Sequence, residues 1–184
     1  MAAILREPDV IGPIVLYPRA MSSDQVQLHF LRHAHAGDPA KWRGPDDLRP
    51  LSAKGRQQAE SLGRHLDSLG LRFDLLLSSP LVRARQTAEL VAERLGLDVE
   101  IDERLGGGLS HAALAALLSD HGQPARPVLV GHDPDMSELV TTLAGATDIP
   151  MRKGAFARID IGPSLEPGTG VLVFLIPPEL VAPA

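Results

Sequence analysis

The sequence predicts an α/β fold: a three-layer sandwich with a mainly parallel central sheet and an antiparallel edge strand or hairpin at its C-terminus. Three observations carry this prediction. From Val26 onward, short apolar runs alternate with amphipathic helical segments, a pattern that builds a parallel sheet covered by helices on both faces. Cap signals punctuate the helical segments: Ser52, Ser79-Pro80, Ser110 and Asp133-Pro134 precede them, and Gly70 and Gly96 close two of them. The last two apolar runs follow one another with only Gly and Pro turn signals between them, which suits a hairpin.

In chain order, residues 1–25 have prolines at 8, 13 and 18 and no sustained periodicity. They read as an extended or disordered leader, with residues 26–184 forming a single domain. Val26–Leu31 is the first strand. Ser52–Leu69 is an amphipathic helix. Leu75, Leu76 and Leu77 make a short buried strand over Asp74–Ser78. The helix opened by Ser79-Pro80 runs to Leu95, and Val99–Ile101 is a short strand. Ser110 caps a helix to about Ser119, and Pro127–Val130 is a buried strand. Asp133-Pro134 repeats the cap-then-proline signal before a helix to about Ala144. Ala155–Ile161 and Gly170–Ile176 are the late strands. Gly106-Gly107-Gly108 reads as a flexible loop, because no strand runs into it and no Lys-Ser/Thr follows.

Composition narrows the function. A length of 184 residues suits one domain. With 44% hydrophobic but only 3% aromatic residues, the core must be built from aliphatic side chains. A net charge of −5 argues against non-specific nucleic-acid binding. The absence of cysteine removes disulfides, Cys-ligated zinc and a cysteine nucleophile, and fits a cytoplasmic location. No apolar run approaches the ~18 residues of a membrane span. Ile11–Tyr17, the best candidate for a signal-peptide core, is interrupted by Gly12 and Pro13.

Three strand-to-loop junctions hold the unusual polar residues. The first is Leu31-Arg32-His33-Ala34-His35-Ala36. The second is Ser78-Ser79-Pro80-Leu81-Val82-Arg83-Ala84-Arg85-Gln86-Thr87, and the third is Gly131-His132-Asp133-Pro134. Burying a cation at a strand end is costly without an anionic partner, and the carboxyl ends of strands in an open α/β sheet are where ligands bind. Arg32 offers a bidentate fork for phosphate or carboxylate, and His33 a nucleophile or base. The second and third junctions open helices, whose N-termini favour anions. In a parallel sheet all three junctions fall along one edge, where two histidines, Arg32 and at least one further arginine can converge on one anion.

The three motifs resemble those of the histidine phosphatase superfamily. The Arg-His-Ala form and the short second-to-third spacing are most similar to its small branch, the SixA-like phosphohistidine phosphatases. The resemblance spans roughly Gln27 to Ile176. It implies a phosphoglycerate mutase-like fold, with His33 as the phosphate-accepting nucleophile, Arg32 and Arg83 gripping the phosphoryl oxygens, and His132 completing the catalytic set. It also implies a monomer acting without metal or cofactor on a phosphorylated protein, of the phosphotransfer type, or on a small phosphomonoester. Larger members place a carboxylate acid after the helix of the second arginine. Glu103 is the better match here and Asp102 the lesser, and neither is assigned that role.

Other readings compete. His29, His33 and His35 share strand parity, and His-x-His is a metal-ligand spacing, so a metal-dependent hydrolase drawing on Asp133 or Asp135 is an alternative. Arg32 beside that pair would repel a cation. A phospho-binding module without catalysis is a further alternative. Arg85 reads as a solvated helix residue, Lys153 as an exposed lysine, and the loop around Trp42 as either a cap on the site or a surface loop pinned by one indole.

Overall fold

The computed structural model describes residues 25–181. The expected leader lies, but for Gln25, outside the described residues. Six strands and four α-helices follow: β1 (Val26–Arg32), α1 (Ala53–Ser68), β2 (Leu75–Ser78), α2 (Val82–Leu95), β3 (Glu100–Ile101), α3 (His111–Asp120), β4 (Pro127–Gly131), α4 (Asp135–Ala144), β5 (Phe156–Ile161) and β6 (Val171–Ile176). The strands form one sheet in the order β3-β2-β4-β1-β5-β6. Its β1/β4, β2/β4 and β2/β3 pairs are parallel. Its β1/β5 and β5/β6 pairs are antiparallel, so the late hairpin closes the C-terminal edge as expected.

Side-chain alternation along the strands divides the core into two layers. Leu28 and Phe30 of β1, Leu77 of β2 and Leu129 of β4 pack with Leu114 and Leu117 of α3 and Leu139 and Leu143 of α4. Leu31, Leu76, Val128 and Val130 point the other way, onto Leu62 and Leu66 of α1 and Ala84, Ala88 and Val91 of α2. The three layers are therefore helix, sheet and helix. Among the described residues, no helix is long and apolar enough to cross a membrane.

Two cap expectations hold and two fail. Ser52 and Ser110 each accept a backbone N–H three residues on, from Gly55 and Ala113, at 3.2 Å. Ser79 does not cap a helix directly: α2 begins at Val82, with Leu81 in the cap position. The Ser79 hydroxyl accepts the N–H of Leu81, a local turn that delays the helix. Asp133 is likewise not an N-cap, since α4 begins at Asp135 after Pro134. Its carboxylate instead takes a charge-assisted bond from Arg32 and a hydroxyl bond from Ser137; the first is stronger than a neutral cap.

His29 is a core histidine. It is 1% exposed, its ring stacks on Phe156 and meets the edge of Phe73, and its Nδ1–H donates to the carbonyl of Pro127 at 3.1 Å. This placement removes it from the candidate metal set with His33 and His35. Burial lowers its pKa from 6.5 to about 4. Between those values the unfolded chain binds more protons than the native one. Stability is thus full above pH 6.5 and falls as pH drops through that window, by about 3 kcal/mol for this residue. Urea unfolding at pH 7.5 and pH 4.5 will show the loss, and His29→Gln, which keeps a donor for Pro127, will remove this residue's share of it, the buried His33 and His132 retaining theirs.

Candidate active site

The sheet registers Arg32 beside Gly131 and Val130 beside Ser78, so three carboxyl strand ends lie side by side. Backbone bonds hold them there. His33 N–H donates to Gly131 O at 3.0 Å, Ser79 N–H to Val130 O at 2.9 Å, and Gly154 N–H to the carbonyls of Arg32 and His33 at 3.0 Å. The segment after His33 is tied to α2 through the Thr87 hydroxyl, which accepts the N–H of Ala34 at 3.1 Å. It also packs tightly on the start of α1: a Cβ added at Gly55 would lie 2.0 Å from the carbonyl oxygen of His35. Gly55→Ala will therefore force the loop and α1 apart. The expected cost is about 2 kcal/mol of stability, read by thermal unfolding.

His33 and His132 are 5% and 7% exposed, with ring centroids 5.1 Å apart. The His33 Nδ1–H donates to the carbonyl of Ala34 at 2.8 Å, since a carbonyl only accepts. In the neutral ring this leaves the Nε2 lone pair free. Burial first, then His132, Arg83 and Arg32, push the pKa of His33 down to about 3. Burial followed by Arg83 and Arg32 brings His132 to about 4. Both rings are neutral at pH 7.

The guanidinium of Arg32 bonds the Asp133 carboxylate at 2.8 Å and the carbonyl of Met151 at 2.7 Å. Arg83 bonds the carbonyl of Asp46 at 2.8 Å and its carboxylate at 3.2 Å. Arg32 Nε, Arg83 Nε and His132 Nδ1 are nonetheless buried without a protein partner. Such groups are rare, and three in one cluster suit an oxyanion. Arg126 Nε is also unpartnered, but precedes the opposite end of β4.

The structure thus gathers Arg32, His33, Arg83 and His132. Glu103 lies exposed in a 3-10 turn over Glu103–Gly106, and it is not among the charges acting most strongly on either histidine. Asp102 is taken up by Arg104 and His121. Arg85 pairs with Glu89 on the surface. The His35 ring is held outside the cluster's recorded contacts, its Nδ1 2.7 Å from the Ser52 hydroxyl. Lys153 is only partly exposed. Burial, then repulsion from Arg32, Arg49 and Arg83, lowers its pKa, so it borders the cluster rather than standing free. Trp42 pins its loop by donating to Pro45 O at 2.9 Å, and the same loop delivers Asp46 to Arg83.

Sequence reasoning missed Asp46, Arg49, Ser79 as a histidine partner and Asp133 as an arginine partner. Arg49, 6% exposed, bonds Asp46 and the carbonyl of Ala36 at 2.8 Å, and so braces the carboxylate that holds Arg83. The available signal was an arginine directly before Pro50-Leu51 and the Ser52 cap, where a buried cation needs a fixed acceptor.

An α/β sandwich with two arginines and two neutral imidazoles at adjacent carboxyl strand ends defines a class, the phosphatases and mutases that handle phosphoryl groups. Within that class, the chain belongs to the histidine phosphatase superfamily. A family model for the histidine phosphatase superfamily (branch 1) matches residues 28–106. An uncharacterized protein of Picosynechococcus sp. is 39% identical over 122 residues, covering 65% of this chain and 73% of that one. A Salmonella paratyphi B protein named "Probable phosphoglycerate mutase GpmB" is 30% identical, covering 73% of this chain and 85% of that one. Among solved structures, the protein histidine phosphatase SixA complexed with tungstate superposes with a TM-score of 0.72 at 26% identity, covering 85% of this chain and all of that one (100%).

Proposed function

We propose that this protein is a metal-independent phosphatase that works through His33 and removes the phosphoryl group from a phosphohistidine on a partner protein. The observation that carries the reading is the cluster of three unpartnered buried nitrogens, two of them arginine N–H donors, beside an imidazole whose Nε2 lone pair is free. Nε2 of His33 attacks the phosphorus of a phosphohistidine already protonated on its free ring nitrogen; the P–N bond breaks, its electron pair leaves with the substrate ring, and that imidazole departs neutral. Arg32, Arg83 and His132 hold the equatorial oxygens, where transition-state charge spreads. Water then attacks the phosphohistidine at His33 and releases inorganic phosphate. Residues 26–184 are read as one domain, acting as a monomer in the cytoplasm.

The similarity to SixA supports a protein substrate. The similarity to a protein named as a phosphoglycerate mutase favours a second reading, a phosphatase for a small phosphomonoester. One assay separates them: purified protein against a phosphohistidine-bearing phosphotransfer domain and a panel of small phosphomonoesters, each with and without EDTA. Turnover of the phosphoprotein alone, unchanged by EDTA, is expected. Turnover of monoesters alone selects the second reading. Loss in EDTA with recovery on zinc refutes the metal-independent mechanism.

A further inference from the structure

Ser79 lies where β2 gives way to α2 and is fully shielded from solvent. Its backbone N–H donates to Val130 O, and its carbonyl accepts the hydroxyl of Ser78 at 3.0 Å, so the residue is held on both sides. Its own hydroxyl oxygen accepts the N–H of Leu81 at 3.2 Å and lies 2.7 Å from Nε2 of His132. A serine hydroxyl has one proton to give. The contact itself fixes no direction, but were Nε2–H to donate to Ser79, the buried hydroxyl proton would have no acceptor recorded among the described residues; with Ser79 donating, His132 Nε2 takes it. A neutral imidazole that accepts at Nε2 must carry its proton on Nδ1. That nitrogen is buried and without a protein partner, as are the Nε groups of Arg32 and Arg83.

We propose that Ser79 is a positioning residue: its hydroxyl donates to His132 Nε2, selects the Nδ1–H tautomer, and so presents an uncharged N–H donor to the equatorial oxygens of the transferring phosphoryl group. The opposite tautomer would turn a lone pair toward those oxygens and repel them. The consequence for rate rests on the phosphatase reading above; the tautomer assignment stands apart from it.

The test joins a spectroscopic and a kinetic measurement on the full chain. Long-range ¹H–¹⁵N spectra of the wild type are expected to show His132 protonated on Nδ1. In Ser79→Ala the same ring is expected to shift toward the Nε2–H form, and kcat to fall about 10- to 100-fold with a smaller change in KM. A wild-type ring protonated on Nε2 overturns the proposal. So does a Ser79→Ala ring that keeps Nδ1–H, or a tautomer change that leaves kcat intact. If the tautomer changes as expected but neither protein turns over any phosphorylated substrate, the assignment stands and the phosphatase reading fails.

Discussion

Replacing His33 by alanine is expected to lower turnover by a factor on the order of 10⁴ or more. The expected loss is this large because no neighbouring group replaces the lost nucleophile. His132 has Nε2 engaged by Ser79, and the nearby carboxylates of Asp46 and Asp133 are held by arginines. Folding will survive, since the site is a strand-end loop and the removed ring makes its one recorded hydrogen bond to an adjacent carbonyl. A phospho-binding module would have no turnover to lose, so the variant separates that alternative from an enzyme. Steady-state phosphate release by wild type and variant is the measurement. The same mechanism predicts an acid-labile, base-stable label on His33 after rapid quenching with labelled substrate.

Arg83→Ala lowers kcat about 10³-fold, the second largest effect expected. Arg83 Nε is buried and unpartnered, while the other end of its guanidinium is fixed on Asp46. The group is therefore pre-aimed, and its donors are in place before the transition state forms. Arg83→Lys keeps the charge but loses the fork, so it will recover only a fraction of the rate. Asp46 is largely exposed and stays bonded to Arg49, so removing Arg83 leaves no buried anion behind. Single-turnover kinetics will distinguish a loss in the chemical step from a loss in binding.

Local signals placed Arg32, His33 and His132 at strand ends that share one edge, but they left Arg83 and Arg85 open, and the resemblance to the family motif chose Arg83. Apolar runs gave the strands, parallel order gave a common edge, and each residue sits within a few positions of a strand end. Ser52 and Ser110 were legible as caps for the same local reason. Asp133 was not, because proline directly after it imitates a helix start, whereas its partner Arg32 is remote in the chain. Ser79 was misread in the same way, its hydroxyl being drawn to a histidine 53 residues on. Asp46 lies in a loop without periodicity, so nothing local announced that it meets Arg83. Parity placed His29 with His33 and His35, but β1 ends at Arg32, and His33 lies beyond the strand that buries His29 against Phe156.

The claim beneath all of this is that one anion site is shared by residues 32, 33, 83 and 132. Orthovanadate, which mimics the five-coordinate phosphoryl group, addresses it directly in a crystal structure of the complex. Vanadium is expected within bonding distance of His33 Nε2, with oxygens accepting from Arg32, Arg83 and His132 Nδ1. Vanadate seated elsewhere, or bound with His33 turned away from it, would rule out a shared anion site at these four residues.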